Sequence, residues 1–230
     1  MVSTHVDRYQ AVNLDKSMRR KVATLLQHAY YSEPNYQHLL DSEKSGYQQR
    51  LRATCREIVN IHFMRGEQVL GIVDTENDQL CGAALVLRNK HRVNLSRSIS
   101  WRLKMMLTAG FDSTIRFMDY QKTVKEAFAT DEFQIVSQLC IHPRFRKMGL
   151  GEQLLDAVYD GCSHDEACKG VYLDSGNPKY AQFYARMGFK HVASLDINDF
   201  QEHIYLKPGP AYVPEVVTEK PSVDALVHAE

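Results

Sequence analysis

The chain has 230 residues, of which 44% are hydrophobic and 24% charged. That is enough apolar material for a real core, and it excludes a disordered chain, a collagen-like repeat and a disulfide scaffold. Lys plus Arg total 28 and Asp plus Glu total 28, so no net charge draws the chain to nucleic acid or an anionic membrane, and no apolar run reaches the ~18 residues a bilayer span needs.

The five cysteines, Cys55, Cys81, Cys140, Cys162 and Cys168, have an odd count and scattered spacing. They read as small buried apolar residues, not as a disulfide framework or a zinc site. Met1 to Arg8 lacks the basic-then-apolar pattern of a secretion signal. The expected compartment is the reducing cytoplasm.

In chain order, Val6 to Val12 alternates weakly and reads as a first strand. From Asp15 to Tyr30, Met18, Val22, Leu25, Leu26 and Ala29 recur at helical spacing, with Asp15 at the N-cap. Pro34 implies a turn at Glu33. A second long helix runs from Gly46 to Phe63, with Gly66 as its stop. Residues 68–73 and 80–87 read as a hairpin across a polar loop. Residues 89–130 hold two helical stretches, Ser98 to Leu107 and Ser113 to Phe128, broken near Gly110. This insert, with the only tryptophan, Trp101, is a candidate lid or dimer contact.

Phe133 to Ile141 is the clearest strand. It is followed by a helix from Gly149 to Cys162, a strand from Gly170 to Asp174, and a helix from Asn177 to Met187 stopped by Gly188. Phe189 to Leu195 and His203 to Leu206 form a final strand pair. From about residue 208, Pro208, Pro210, Pro214 and Pro221 mark an irregular tail. The order predicts an α/β (α+β) fold with a mixed central sheet covered by helices.

The most informative segment runs from Gln134 to Leu155. A strand leads through Pro143 and the basic pair Arg146-Lys147 into Met148-Gly149-Leu150-Gly151 at a helix start. Unpaired N–H groups and the positive end of the helix dipole make such a turn a phosphate or pyrophosphate cradle. A Rossmann loop needs a third glycine where Leu154 stands, and a P-loop needs a Gly-Lys-Ser/Thr run that is missing. By itself the turn is equally readable as a strand-to-helix connection with a surface basic pair.

Arg146-x-x-Gly149-x-Gly151, after a strand and a proline, closely resembles the acyl-CoA-binding motif of the GNAT N-acyltransferase superfamily. Downstream, Asn177, Tyr184, Gly188 and Phe189 stand as in a second motif of that family. The resemblance is strong from Phe133 to about Leu195. The Phe183-Tyr184 ending and the helical insert resemble the branch containing puromycin N-acetyltransferase. The resemblance implies one domain over residues 1–207 with a helical insert near 95–130, and a mostly antiparallel sheet. It also implies acetyl-CoA as cosubstrate, no metal, and a small amine as acceptor. Neither nucleic acid nor membrane is an expected partner, and the chain is expected to be a monomer or homodimer. The alternative is a non-catalytic CoA-binding scaffold of the same fold.

By that resemblance, Leu139, Cys140 and Ile141 pair with the pantetheine arm, the N–H groups of Arg146 to Gly151 hold the pyrophosphate, and Asn177 touches the cofactor. Acyl transfer needs a neutral amine, an oxyanion donor and a proton for the departing thiolate. A strand N–H near Cys140 or Ile141 is the candidate donor. Tyr184 is the candidate acid, and equally readable as a core aromatic. Asn177 before Pro178 is also a good helix cap. The base is not legible: Glu132 and His142 are candidates, and Ser137 or Gln138 is a candidate to position a water. Cys140 reads as filler, not nucleophile. Tyr30, Tyr31 and Tyr36 are candidate walls of an acceptor pocket, and Asp196, Asp199 and Glu202 are candidate attractants for a cationic amine.

Overall fold

The computed structural model describes residues 8–88, 99–128, 132–197 and 199–213. Its strands are β1 (Tyr9–Asn13), β2 (Gln68–Asp74), β3 (Gln79–Leu87), β4 (Phe133–Ile141), β5 (Gly170–Ser175), β6 (Lys190–Ile197) and β7 (Phe200–Pro208). Its helices are α1 (Arg19–Tyr30), α2 (Pro34–Leu39), α3 (Tyr47–Met64), α4 (Ile99–Ala109), α5 (Phe111–Ala127), α6 (Leu150–Ser163) and α7 (Ala181–Arg186). The strands form one sheet in the order β1-β2-β3-β4-β5-β7-β6, in which β4–β5 is the parallel pair and the other neighbours are antiparallel.

Helices cover both faces, so the strands between them are apolar on both sides. Leu25 and Leu26 of α1 and Leu51, Cys55 and Ile58 of α3 pack on Ala83, Leu85 and Cys140. On the opposite face Leu154, Leu155 and Val158 of α6 meet Ala84, Val86, Val136 and Leu173. The insert is two helices: α4 carries buried Met105 and Ala109, and α5 carries buried Phe117 and Val124. The side chain of Trp101 lies outside the described residues.

Of the first strand expected over Val6 to Val12, Val6 and Asp7 lie outside the described residues, and β1 runs Tyr9–Asn13, one residue past Val12. The turn expected at Glu33 is present, with Glu33 extended and its N–H donating to Tyr30 O, and Pro34 then opens the short helix α2 at its first position, where a missing N–H costs nothing. Cys162 and Cys168 are joined as a disulfide across a Cα separation of 5.4 Å. Their sequence spacing gave no sign of this, because the turn after α6 brings the helix end back to the start of β5. Cys55, Cys81 and Cys140 are free and buried, as expected.

After Pro208, residues 209–213 contain a turn and no helix or strand. β7 runs to Pro208, and Tyr212 packs edge-on against Phe133. The rest of the tail, from 214 on, lies outside the described residues. Among the described residues, no helix is long and apolar enough to cross a membrane.

Candidate active site

The site begins where two parallel strands part. β4 pairs with β5 from Phe133↔Gly170 to Val136↔Leu173 and no further, although β4 runs on to Ile141 and β5 to Ser175. A register shift on β3 between Leu85 and Val86 skips Ser137, which marks a bulge at the parting point. The bulge sends Gln138 and Cys140 toward α1–α3, while Leu139 and Ile141 turn to the α6 side. Between the parted strands lies a cleft of about 550 Å³, lined by residues of α1, α2 and α5 and by residues of α6 and α7.

Successive residues of a strand direct their N–H and C=O groups to opposite edges. His142 N–H donates to Cys81 O on β3, so His142 and Cys140 address β3, and Leu139 and Ile141 address the cleft. This corrects one expectation. The N–H of Cys140 is not an oxyanion donor, because it belongs to the β3 ladder, whereas that of Ile141 faces the cleft. The Leu139 groups meet the Tyr30 hydroxyl, which donates to Leu139 O and accepts from Leu139 N, each at 2.9 Å. Burial pushes the Cys140 thiol up to about 12, which fits filler and not a nucleophile.

The cradle lies at one end of the cleft. Gly149 stands at the N-cap of α6 with φ +76°, and no side chain caps the helix. The first-turn N–H groups are therefore left for a ligand. Lys147 also takes a left-handed φ of +64°, which tightens the turn. A Cβ on Gly149 would meet nothing closer than 3.8 Å, so its role is conformational. A Cβ on Gly151 would come within 3.3 Å of the Phe183 ring, so that glycine lets α7 pack against the loop. Arg146 Nη2 donates to Ala29 O at 3.1 Å, which holds the guanidinium against α1 at the cleft wall.

Arg146, Lys147, Gly149, Leu150 and Gly151 all line the cleft. Met148 does not; its side chain is exposed. Asn177 also lines the cleft, with both ends of its amide in use. Its Oδ1 accepts from Lys179 N, and its Nδ2 donates to Glu33 Oε2 at 2.8 Å. The capping role is thus realised, and one of the two Nδ2 hydrogens goes to Glu33.

Tyr184 projects from α7 among Tyr180, Phe183, Phe189 and Tyr205, buried but bordering the cleft. Its hydroxyl bonds Ser175, and burial raises its pKa well above the ordinary phenol value, so it holds its proton. The residue is both a core aromatic and a proton-bearing group at the cleft.

The opposite end is aromatic and acidic. Tyr30 and Tyr36 stack with centroids 4.7 Å apart, and Tyr36 donates to Gln138 Oε1 at 2.7 Å. Tyr120 from α5 donates to Asp174 Oδ2 at 2.6 Å. Tyr31 packs on Tyr47 outside the cleft and leaves the expected set. Glu132 pairs with Lys169 away from the cleft, and His142 lies outside the lining. Ser137 donates to Leu85 O and marks the bulge. Asp199 is exposed and Asp196 bonds Gln201 near the β6–β7 turn, so neither reaches the site. Glu202 lies within β7, fully buried. Asp174 and Glu33 escaped the sequence reading, because one ends a short apolar strand and the other stands alone before a proline. Among the described residues, no group of three or more His, Cys, Asp or Glu is placed to hold a metal ion.

Residues 113–191 match the acetyltransferase (GNAT) domain family. No curated relative matches the chain. Among solved structures, a histone acetyltransferase HPA2 and related acetyltransferase from Corynebacterium glutamicum shares 16% identity at TM-score 0.63, covering 91% of this chain and 99% of that one. Arylalkylamine N-acetyltransferase 2 from Aedes aegypti shares 14% at TM-score 0.56, covering 88% and 99%. Arabidopsis thaliana NAA60 in complex with acetyl-CoA shares 15% at TM-score 0.51, covering 86% and 98%. Residues 113–191 thus match the GNAT acetyltransferase domain family, and the chain has the GNAT acyl-CoA N-acyltransferase fold.

Proposed function

We propose that the chain transfers an acetyl group from acetyl-CoA to a small amine by direct attack in a ternary complex. One observation carries the reading: the uncapped start of α6, flanked by Arg146 and Lys147, opens onto the same cleft as the proton-bearing Tyr184. Anions are held at such a helix start by backbone N–H groups and the dipole. The residues fit a pyrophosphate at the cradle and an extended arm along Leu139 to Ile141. Acetyl-CoA would supply the activated acyl group as a thioester.

The chain's own residues supply the rest. The N–H of Ile141 faces the cleft as a donor for the developing oxyanion. Tyr184 gives its proton to the departing sulfur. Calorimetric titration of the protein with acetyl-CoA, followed by thiol release with a panel of primary amines, tests the reading. Heat of binding and amine-dependent release are expected. Binding without release for any amine would leave a scaffold, and absent heat would remove the cradle.

A further inference from the structure

A fully buried carboxylate without a partner sits beside the acceptor end of the cleft. Glu202 has no exposed surface, and neither of its oxygens has a hydrogen-bond partner among the described residues. Its register places it diagonally from Asp174 on the same face of the β5–β7 pair, since Asp174↔Ile204 and Ser175↔His203 are opposite neighbours. The chain makes room for it: a Cβ on Gly176 would fall 2.6 Å from Glu202 Oε2. Asp174 lines the cleft, anchored by the Tyr120 hydroxyl.

Two anions so placed cannot both stay ionised. The groups facing the pair are Tyr120 from α5, Asn35 and Tyr36 from α2, Tyr184 from α7 and Tyr205 from β7, and none is a cation. Lys179 serves Glu33, and Arg146 serves Ala29. Burial pushes both carboxyls up; the Asp174 charge pushes Glu202 further, while bonds from Tyr120 and a protonated Glu202 hold Asp174 back. A proton between the two oxygens satisfies Glu202 and leaves one negative charge, facing the cleft on Asp174.

We propose that Asp174 and Glu202 share one proton and together form the anchor and proton acceptor for a primary ammonium acceptor, seated against the Tyr36 and Tyr120 rings. The proposal deepens the acetyltransferase reading and rests on it. The ammonium gives one proton to Asp174. The freed lone pair attacks the thioester carbonyl; a C–N bond forms and the C–S bond breaks, its electron pair leaving on sulfur. The thiolate takes the Tyr184 proton, and the second proton lost by nitrogen restores Tyr184. Asp174 returns its proton to water as the amide leaves. Glu33 differs from this pair, because Asn177, Tyr180 and Lys179 already occupy its oxygens.

The test uses the full-length protein and the variants Asp174→Asn, Glu202→Gln and Glu33→Gln. Infrared spectra in D2O at neutral pH should show the C=O stretch of a protonated carboxyl that disappears in Glu202→Gln. No such band, or one indifferent to Glu202→Gln, overturns the shared proton whether or not the chain is an enzyme. With tyramine and hexylamine as probes, Asp174→Asn should lower kcat/KM by about 100-fold or more while calorimetric acetyl-CoA affinity holds. Glu202→Gln, which replaces a carboxyl by an amide donor, should move the acid limb of kcat/KM down by about one pH unit or more. An unmoved limb, or a limb lost in Glu33→Gln instead, overturns the assignment. Acetyl-CoA binding with no turnover of either probe overturns the catalytic half, and absence of acetyl-CoA binding instead sinks the acetyltransferase reading beneath it.

Discussion

The Tyr30 hydroxyl serves the main chain of Leu139 as a neighbouring strand would, accepting from its N–H and donating to its C=O. β4 has parted from β5 at this point, so the phenol takes the place of a missing ladder partner. A coenzyme arm lying along β4 must therefore displace it or run beside it. Tyr30→Phe keeps the ring stacked on Tyr36 and removes the hydroxyl. Expected are a stability loss of about 1 kcal/mol by denaturant titration and acetyl-CoA affinity that is higher by calorimetry. Weaker affinity would make the hydroxyl part of the binding surface.

Gly149 stands at φ +76° with open space beside it. Ala there brings backbone strain of about 1–2 kcal/mol without a clash. Gly149→Glu adds a carboxylate where the cradle faces an anion. Thermal melts should fall alike for the two variants, and acetyl-CoA affinity should collapse in the Glu variant alone. Equal affinities would move the phosphate site elsewhere.

Tyr184→Phe keeps the ring contacts with Phe189 and Tyr205 and removes the proton and the bond to Ser175. Steady-state kinetics should show kcat falling by about 10-fold or more with acetyl-CoA affinity little changed. Wild-type kcat across the pH range would strip Tyr184 of its role as acid.

His62 is buried at the end of α3, its Nε2 donating to Gln68 O at 3.0 Å, and burial lowers its pKa to about 4. The unfolded chain takes up a proton near ~6.5 that the folded chain refuses until about 4, so this residue's contribution to stability is lost as pH falls through that window. Urea titrations from pH 7 to 4.5 should show His62→Gln losing less stability than wild type, by about 2–3 kcal/mol at the acid end. Parallel curves would place the acid sensitivity elsewhere.

The Cys162–Cys168 bridge closes a short loop with a sequence separation of 6 between the end of α6 and the approach to β5. Chain-entropy reasoning for so short a loop assigns it about 2 kcal/mol. Guanidinium unfolding with and without reductant should differ by that amount, with acetyl-CoA binding retained. Identical midpoints would mean that the bridge does not form in solution.

The sequence alone carried the local half of the site. β4 was legible to its end residues, since Phe133 to Ile141 is β-rich throughout, and Gly149 and Gly188 announced helix ends by needing positive φ. Arg146 to Gly151, Asn177 and Tyr184 could be singled out because each lies in a short stretch that resembles a family motif, which a single sequence shows without any distant contact.

What came from tertiary structure is whatever depends on distant segments meeting. Asp174 pairs with Glu202 because β5 and β7 are neighbours, and Tyr120 joins them because α5 crosses that end of the sheet. Tyr30 reaches Leu139 across 109 positions, and the two cysteines meet through a turn. Periodicity reports which way one element faces. The company that a side chain keeps, and hence whether a buried carboxyl holds its proton, follows from the packing of all of them.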